Sequence, residues 1–247
     1  MTRKRAIASQ NIPPPFEGDG AGPDIELNLA RALPAFAGAD GIAALAPQDH
    51  VLPPRRLLWR ENDTVAAVPV VCHGWAATSL TMSDGRRQIL SFLLPGDIVS
   101  SVLVFDPVSR CSVETISELR YRTFARDTIK ALMLQHPALL ELMNRVREDE
   151  TARSAYLAVG LGQRTAAERI AALLLSLADR LARRGMMRGA TMDFPLRQHH
   201  VADATGLTVV HAGNMLNEFR RAGLIDISDR ALTFLDAPGL RRVSGQF

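Results

Sequence analysis

Between Gln198 and Leu216 the chain reads QHHVADATGLTVVHAGNML. These side chains suit contact with double-stranded DNA better than they suit bond-breaking chemistry. An asparagine amide offers one donor and one acceptor, which match the edge of an adenine, and valine methyls suit the methyl group of thymine. Val209, Val210, His211 and Asn214 are therefore the candidate base-reading residues. Arg197, Gln198, His199, Thr208 and, further along, Arg230 are the candidate phosphate contacts, which position a protein on the duplex without reading its sequence. No G-x-S-x-G, no H-E-x-x-H and no phosphate-cradling glycine loop accompanies them, so no enzymatic activity is expected.

Such residues work only when a helix holds them in a groove. A helix-turn-helix packs two helices steeply through a short turn. Ala202 is small enough for the crossing, and Gly206, four residues on, suits a turn that enters the left-handed region. Val201, Leu207, Ala212 and Met215 fall where the helix–helix core needs apolar groups, and Thr208 is placed to cap the second helix. Residues 224–227 and 231–235 then alternate like strands around Ser228-Asp229-Arg230, which predicts a wing with Arg230 at its tip.

Upstream, the periodicity changes twice. Over 50–125, short apolar runs alternate with turn signals, as in an antiparallel sandwich or barrel, and Asp84-Gly85 predicts a type I′ hairpin. From His136 the period is helical. Pro137 suits a first turn, and Leu139, Leu140, Leu142, Met143, Val146, Ala152, Tyr156 and Leu157 make a stripe that reaches about Gly160. Such a stripe suits a partner helix, its own β-domain, or both on different faces. Thr165 and Glu168 form a capping-box pair opening a further helix toward Arg184. Residues 1–23, with Pro13-Pro14-Pro15, read as a flexible tail, and 24–47 as one or two short helices.

Composition sets the outer limits. The chain has 247 residues, 47% of them apolar, enough for two domains with real cores. There is neither an apolar run of membrane-spanning length nor a signal-peptide stretch, so a cytoplasmic protein with no membrane partner is expected. The two cysteines, Cys72 and Cys111, exclude a disulfide framework, and Cys72 reads as a small core residue. Residues 1–136 carry 14 basic and 14 acidic side chains, whereas 137–247 carry 15 and 12, so the net charge of +3 sits in the C-terminal part. His199 and His200 are adjacent and point to different faces of a helix, with His200 at the surface, so no metal site is expected there, nor haem at His73. No cofactor is expected.

Gly74, SDGRRQILSFLLPGD (Ser83 to Asp97), GQRTAAERIAALL (Gly162 to Leu174) and ADATGLTVVH (Ala202 to His211) together resemble the Crp/Fnr family over about residues 30–240. These are the regulators named after the cyclic-AMP receptor protein and the fumarate-nitrate reduction regulator. The resemblance implies an α+β fold: an N-terminal antiparallel β-roll (a double-stranded β-helix) over 24–135, a long dimerisation helix over 136–161 and a C-terminal winged helix-turn-helix over 162–247. It implies a transcription regulator that binds an inverted-repeat site as a homodimer, with RNA polymerase and an unidentified small-molecule effector as further partners. The alternative is a β-roll ligand-binding or protein-interaction protein whose helix-turn-helix no longer reads DNA.

Two departures sharpen this. Cyclic-AMP-binding members hold the ribose with a Gly-Glu pair after the Pro-Gly-Asp turn and the phosphate with an Arg-Ser pair. Here those places read Ser100-Ser101 and Arg110-Cys111, which makes these four the candidate effector-pocket residues and makes cyclic AMP an unsuitable effector. The cysteines do not match the four that ligate an iron–sulfur cluster in oxygen-sensing members. In the second helix, related members read His-Val-Asn-Arg where this chain has His211-Ala212-Gly213-Asn214, so the guanine-contacting arginine is replaced by Asn214. Gly213 weakens the helix by about 1 kcal/mol relative to alanine.

Overall fold

The computed structural model describes residues 48–245, so the expected tail and short helices over 1–47 lie outside the described residues. With elements numbered in chain order, one antiparallel sheet has the order β1 (Gln48–Leu52), β7 (Leu119–Ala125), β3 (Ala67–His73). A second has the order β2 (Leu57–Trp59), β6 (Ser112–Thr115), β4 (Ala76–Thr81), β5 (Arg87–Leu93). Alternation along the strands sends Val71, Ala76, Leu93, Val99, Val113 and Leu119 into one shared core.

The β4–β5 hairpin is not the two-residue type I′ turn that Asp84-Gly85 predicts. Thr81 pairs with Arg87, and within the longer loop Gly85 N–H donates to the Met82 carbonyl at 2.9 Å. Gly85 alone enters the left-handed region (φ 85°), while the Asp84 carboxylate binds the backbone N–H (3.0 Å) and Nε (2.7 Å) of Arg86. Closure by a longer loop needs one left-handed residue where type I′ needs two.

Helices follow the sheets. Helix α1 (Arg126–Gln135) has no counterpart in the sequence reading, and Pro137 opens α2 (Pro137–Gln163), a little longer than expected. The stripe along α2 divides. Leu139 and Met143 are buried with Val68, Val70, Leu103, Val104 and Phe124 of the β-roll, while Leu140, Tyr156 and Val159 remain exposed. Helix α3 (Ala166–Ala182) begins with the capping box read from Thr165 and Glu168: the Glu168 N–H donates to Thr165 Oγ1 (3.3 Å), and the Thr165 N–H donates to Glu168 Oε2 (2.7 Å).

The C-terminal elements do not stand apart from the β-roll. Trp75, Ala77, Ile89 and Phe92 share a core with Ile170, Leu174, Leu177 and Leu181 of α3. At the seam, Asp97 of the Pro-Gly-Asp turn is 8% exposed and sits 2.5 Å from both Arg180 and Arg184, and it accepts the Leu94 N–H at 2.7 Å. Burial pushes the Asp97 carboxyl upward, but the two guanidiniums outweigh it and hold it below the usual carboxylate range. A buried charge persists only when paired and hydrogen-bonded, and Asp97 is both.

Candidate nucleic-acid interface and effector pocket

The DNA-reading constellation falls on α4 (Gln198–Thr205) and α5 (Val209–Arg221). Between them Gly206 takes φ 65°, and a Cβ there would come within 2.8 Å of Leu161 at the end of α2. The turn therefore needs glycine for both backbone and space. Val201, Ala202 and Ala212 are buried, Leu207 and Met215 are half-buried, and Leu216 completes the packing. Thr208 caps α5 by accepting the His211 N–H at 3.2 Å.

Val209, Val210, His211 and Asn214 all reach solvent from α5, with Val210 73% exposed. Val210 and Asn214 are one turn apart, so they share a face. Gly213 has a packing reason that its helix propensity hides: a Cβ there would lie 3.0 Å from Gln198 Oε1. The missing side chain lets the first turn of α4 approach α5 and brings Gln198 beside the Val210–Asn214 face.

Arg197 and Gln198 are exposed and His199 is half-buried. His200 corrects the sequence reading. It is buried, its Nδ1 accepts the Arg197 N–H at 3.0 Å, and its ring lies 4.0 Å from that of His199. The ring serves as a cap for the first turn of α4, which turns it inward. Burial, aided by the charges of His199, Arg87 and Arg197, lowers its pKa to about 4, so it is neutral at pH 7.

The wing consists of β9 (Ile225–Ser228) and β10 (Ala231–Phe234), with the unforeseen β8 (Thr191–Asp193) pairing on the other side of β10. Asp229 and Arg230 both take positive φ, 48° and 61°, as a two-residue type I′ turn requires. Arg230 is thereby held outward at the tip, and α6 (Ala237–Ser244) closes the chain against α3.

The unit is fastened to the β-roll. Arg87 of β5 pairs with Glu114 at 2.7 Å and with Asp203 of α4 at 2.8 Å. Arg169 donates to the carbonyls of Arg164 (2.9 Å) and Thr205 (3.1 Å), tying the end of α4 to α3. None of these ties was anticipated, because each joins residues distant in sequence or committed to backbone.

The effector-pocket residues do not all converge. Ser101 is buried, and its N–H (3.0 Å) and hydroxyl (2.5 Å) both donate to the carboxylate of Glu150 on α2. Cys111 is half-buried nearby. Burial raises its thiol to about 11; a hydrogen bond with Ser109 opposes the rise, and the charges of Glu61 and Glu150 add to it. Arg110 is not brought to this group: it is exposed and pairs with Asp106 at 2.5 Å. Ser100 is half-buried, just before the helical turn Ser101–Val104. Arg110 thus gives this group no inward cation for a phosphate, and the Ser101 donors are taken by a carboxylate of the chain itself.

A β-roll carrying a long helix, followed by a winged helix-turn-helix, defines a DNA-binding transcription regulator. Residues 49–136 match the family model of the cyclic nucleotide-binding domain, and residues 168–243 that of the Crp-like helix-turn-helix domain. The chain is 30% identical over 186 residues to the transcriptional activatory protein AadR of Rhodopseudomonas palustris, covering 74% of this chain and 75% of that one. It is 29% identical to the nitrogen fixation regulation protein FixK of Bradyrhizobium diazoefficiens, covering 72% and 74%. The solved structure of FixK2 from Bradyrhizobium japonicum superposes with a TM-score of 0.72 at 22% identity, covering 80% of this chain and 96% of that one. The chain belongs to the Crp/Fnr family of transcription regulators. Among the described residues, no helix is long and apolar enough to cross a membrane.

Proposed function

We propose that this regulator binds an inverted-repeat DNA site as a homodimer in the cytoplasm, and that cyclic AMP is not its effector. The helix Pro137–Gln163 joins the β-roll to the DNA-binding unit and pairs with a second copy. Val209, Val210, His211 and Asn214 face the bases, while Arg197, Gln198, His199, Thr208 and Arg230 meet phosphates. RNA polymerase is the further protein partner of a regulator of this kind.

One observation carries the DNA reading: the Val210–Asn214 face projects from a helix whose opposite side is fully engaged in packing. Dimer formation is supported by Leu140 and Val159, apolar side chains of α2 that are 43% and 52% exposed. Rejection of cyclic AMP is supported by Glu150, whose carboxylate holds the Ser101 donors and would repel a phosphate. Affinity for a duplex measured at several salt concentrations tests the reading. Phosphate contacts give a linear fall of log affinity with log salt, and Arg230→Ala lowers the slope by about 1. A salt-independent interaction would overturn it. Sedimentation at micromolar concentration showing monomer alone would overturn the dimer, and micromolar cyclic-AMP binding by calorimetry would overturn the effector statement.

A further inference from the structure

A cleft of about 730 Å³ runs between α2, β5 and α3. It is separate from the Ser101–Glu150 contact, and its charge is one-sided: Arg153, Arg164, Arg169, Arg180 and Arg183 line it, against Asp149 and Asp179. Arg180 is 7% exposed; one of its terminal nitrogens binds Asp97 (2.5 Å) and the Phe92 carbonyl (2.9 Å), but its Nε has no partner. Arg153, entering from α2, also has a buried Nε without a partner. Buried donors without acceptors are rare in native proteins and cost free energy, so two in one cleft ask for an acceptor.

The local charges say what kind. Burial lowers Arg180 to about 10, with Asp97 opposing and Arg153 and Arg184 adding to the fall, so it is still a cation at neutral pH and is repelled by Arg153 across the cleft. Asp97 is shared by Arg180 and Arg184 and has no charge left for Arg153. The remaining wall includes the apolar and aromatic residues Phe92, Tyr156 and Leu157 beside the hydroxyl residues Ser91, Ser176 and Thr205.

We infer that this cleft is an anion site, in which the guanidiniums of Arg153 and Arg180 bind the phosphate or carboxylate of a small organic anion whose compact apolar body rests on Tyr156 and Leu157. Arginine suits the task because its planar fork meets oxyanions in fixed geometry. The bound anion bridges α2 to α3, the first helix of the DNA-binding part, and is a small-molecule input distinct from the Ser101 pocket. The site rests on the α2–α3 junction and not on DNA reading, and its test contains no DNA.

The test uses the full chain, at constant ionic strength, with inorganic phosphate, phenyl phosphate and benzoate as probes. Thermal unfolding of the wild type is expected to shift upward with phenyl phosphate or benzoate in a saturable way, and less with inorganic phosphate. Arg153→Gln removes a like charge facing Arg180, so the unliganded variant melts higher than the wild type, while its affinity for phenyl phosphate falls at least about tenfold. Tyr156→Ala weakens phenyl phosphate and leaves inorganic phosphate unchanged. Arg60→Gln, an exposed residue outside the cleft, changes neither. The inference is overturned if no probe shifts the wild type at millimolar concentration, or if Arg153→Gln responds like the wild type. It is equally overturned if unliganded Arg153→Gln melts lower, because Arg153 would then already have a partner, such as a carboxylate of a second copy.

Discussion

Two polar regions of this chain are built in opposite ways. Where the β-roll meets α2 and α3, polar side chains face inward and pair with one another: Asp97 with Arg180 and Arg184, Ser101 with Glu150. On α5, Val210, His211 and Asn214 stand in solvent on a helix whose other side is packed. The first arrangement fixes geometry. The second is built on local, rigid elements and leaves its functional groups free. The same chemistry, amides and charges, is structural where it is paired inside and available for recognition where it is not.

Substitutions at the seam test the first half of that contrast. Asp97→Asn strands two guanidiniums, one of them buried, and removing one member of a buried pair costs about 3–5 kcal/mol. Chemical denaturation should show a loss of that size; a loss below about 1 kcal/mol would mean the seam is solvated. Glu150→Ala leaves the buried Ser101 N–H and hydroxyl without an acceptor, for about 1–3 kcal/mol. Glu150→Gln should recover part of this through its amide oxygen, and equal losses in the two variants would argue against the hydrogen bonds.

His200 gives a pH signature. Its folded pKa, about 4, lies below the unfolded value of about 6.5, so between those values the unfolded chain binds more protons. Its contribution is present above about pH 6.5 and is lost as pH falls toward 4. The ring retains some contact with water, so the loss is on the order of 1 kcal/mol. His200→Asn should flatten stability against pH in that window, and an unchanged profile would show that the ring titrates normally.

What could be read from the sequence follows the range of the interactions. Thr165 with Glu168, Thr208 with His211, and Gly206 all act within a few residues, so their types and spacing announced α3 and the helix-turn-helix. The Asp97–Arg180 pair spans 83 residues and the Ser101–Glu150 contact 49, and neither has a local signature. Glu150 carries no local signature that sets it apart from its charged neighbours on α2; only the fold places it against Ser101. His200 was misread because adjacency on a helix says nothing of a ring turned back to cap its own first turn. The apolar stripe of α2 and the option of its facing two ways were visible, but which residues meet the β-roll was not, because that depends on where the sheets sit.

The most direct test of the account is selection of bound duplexes from random sequence by the wild type and by Asn214→Ala. The wild type should yield an inverted repeat with half-site centres about one helical turn, or a small multiple of it, apart. Asn214→Ala should relax preference at one symmetric base position, at a cost of about 1–3 kcal/mol there, with the rest of the motif and the thermal stability unchanged. A selected motif identical for both proteins would contradict the account, because sequence would then be read by residues other than those exposed on α5.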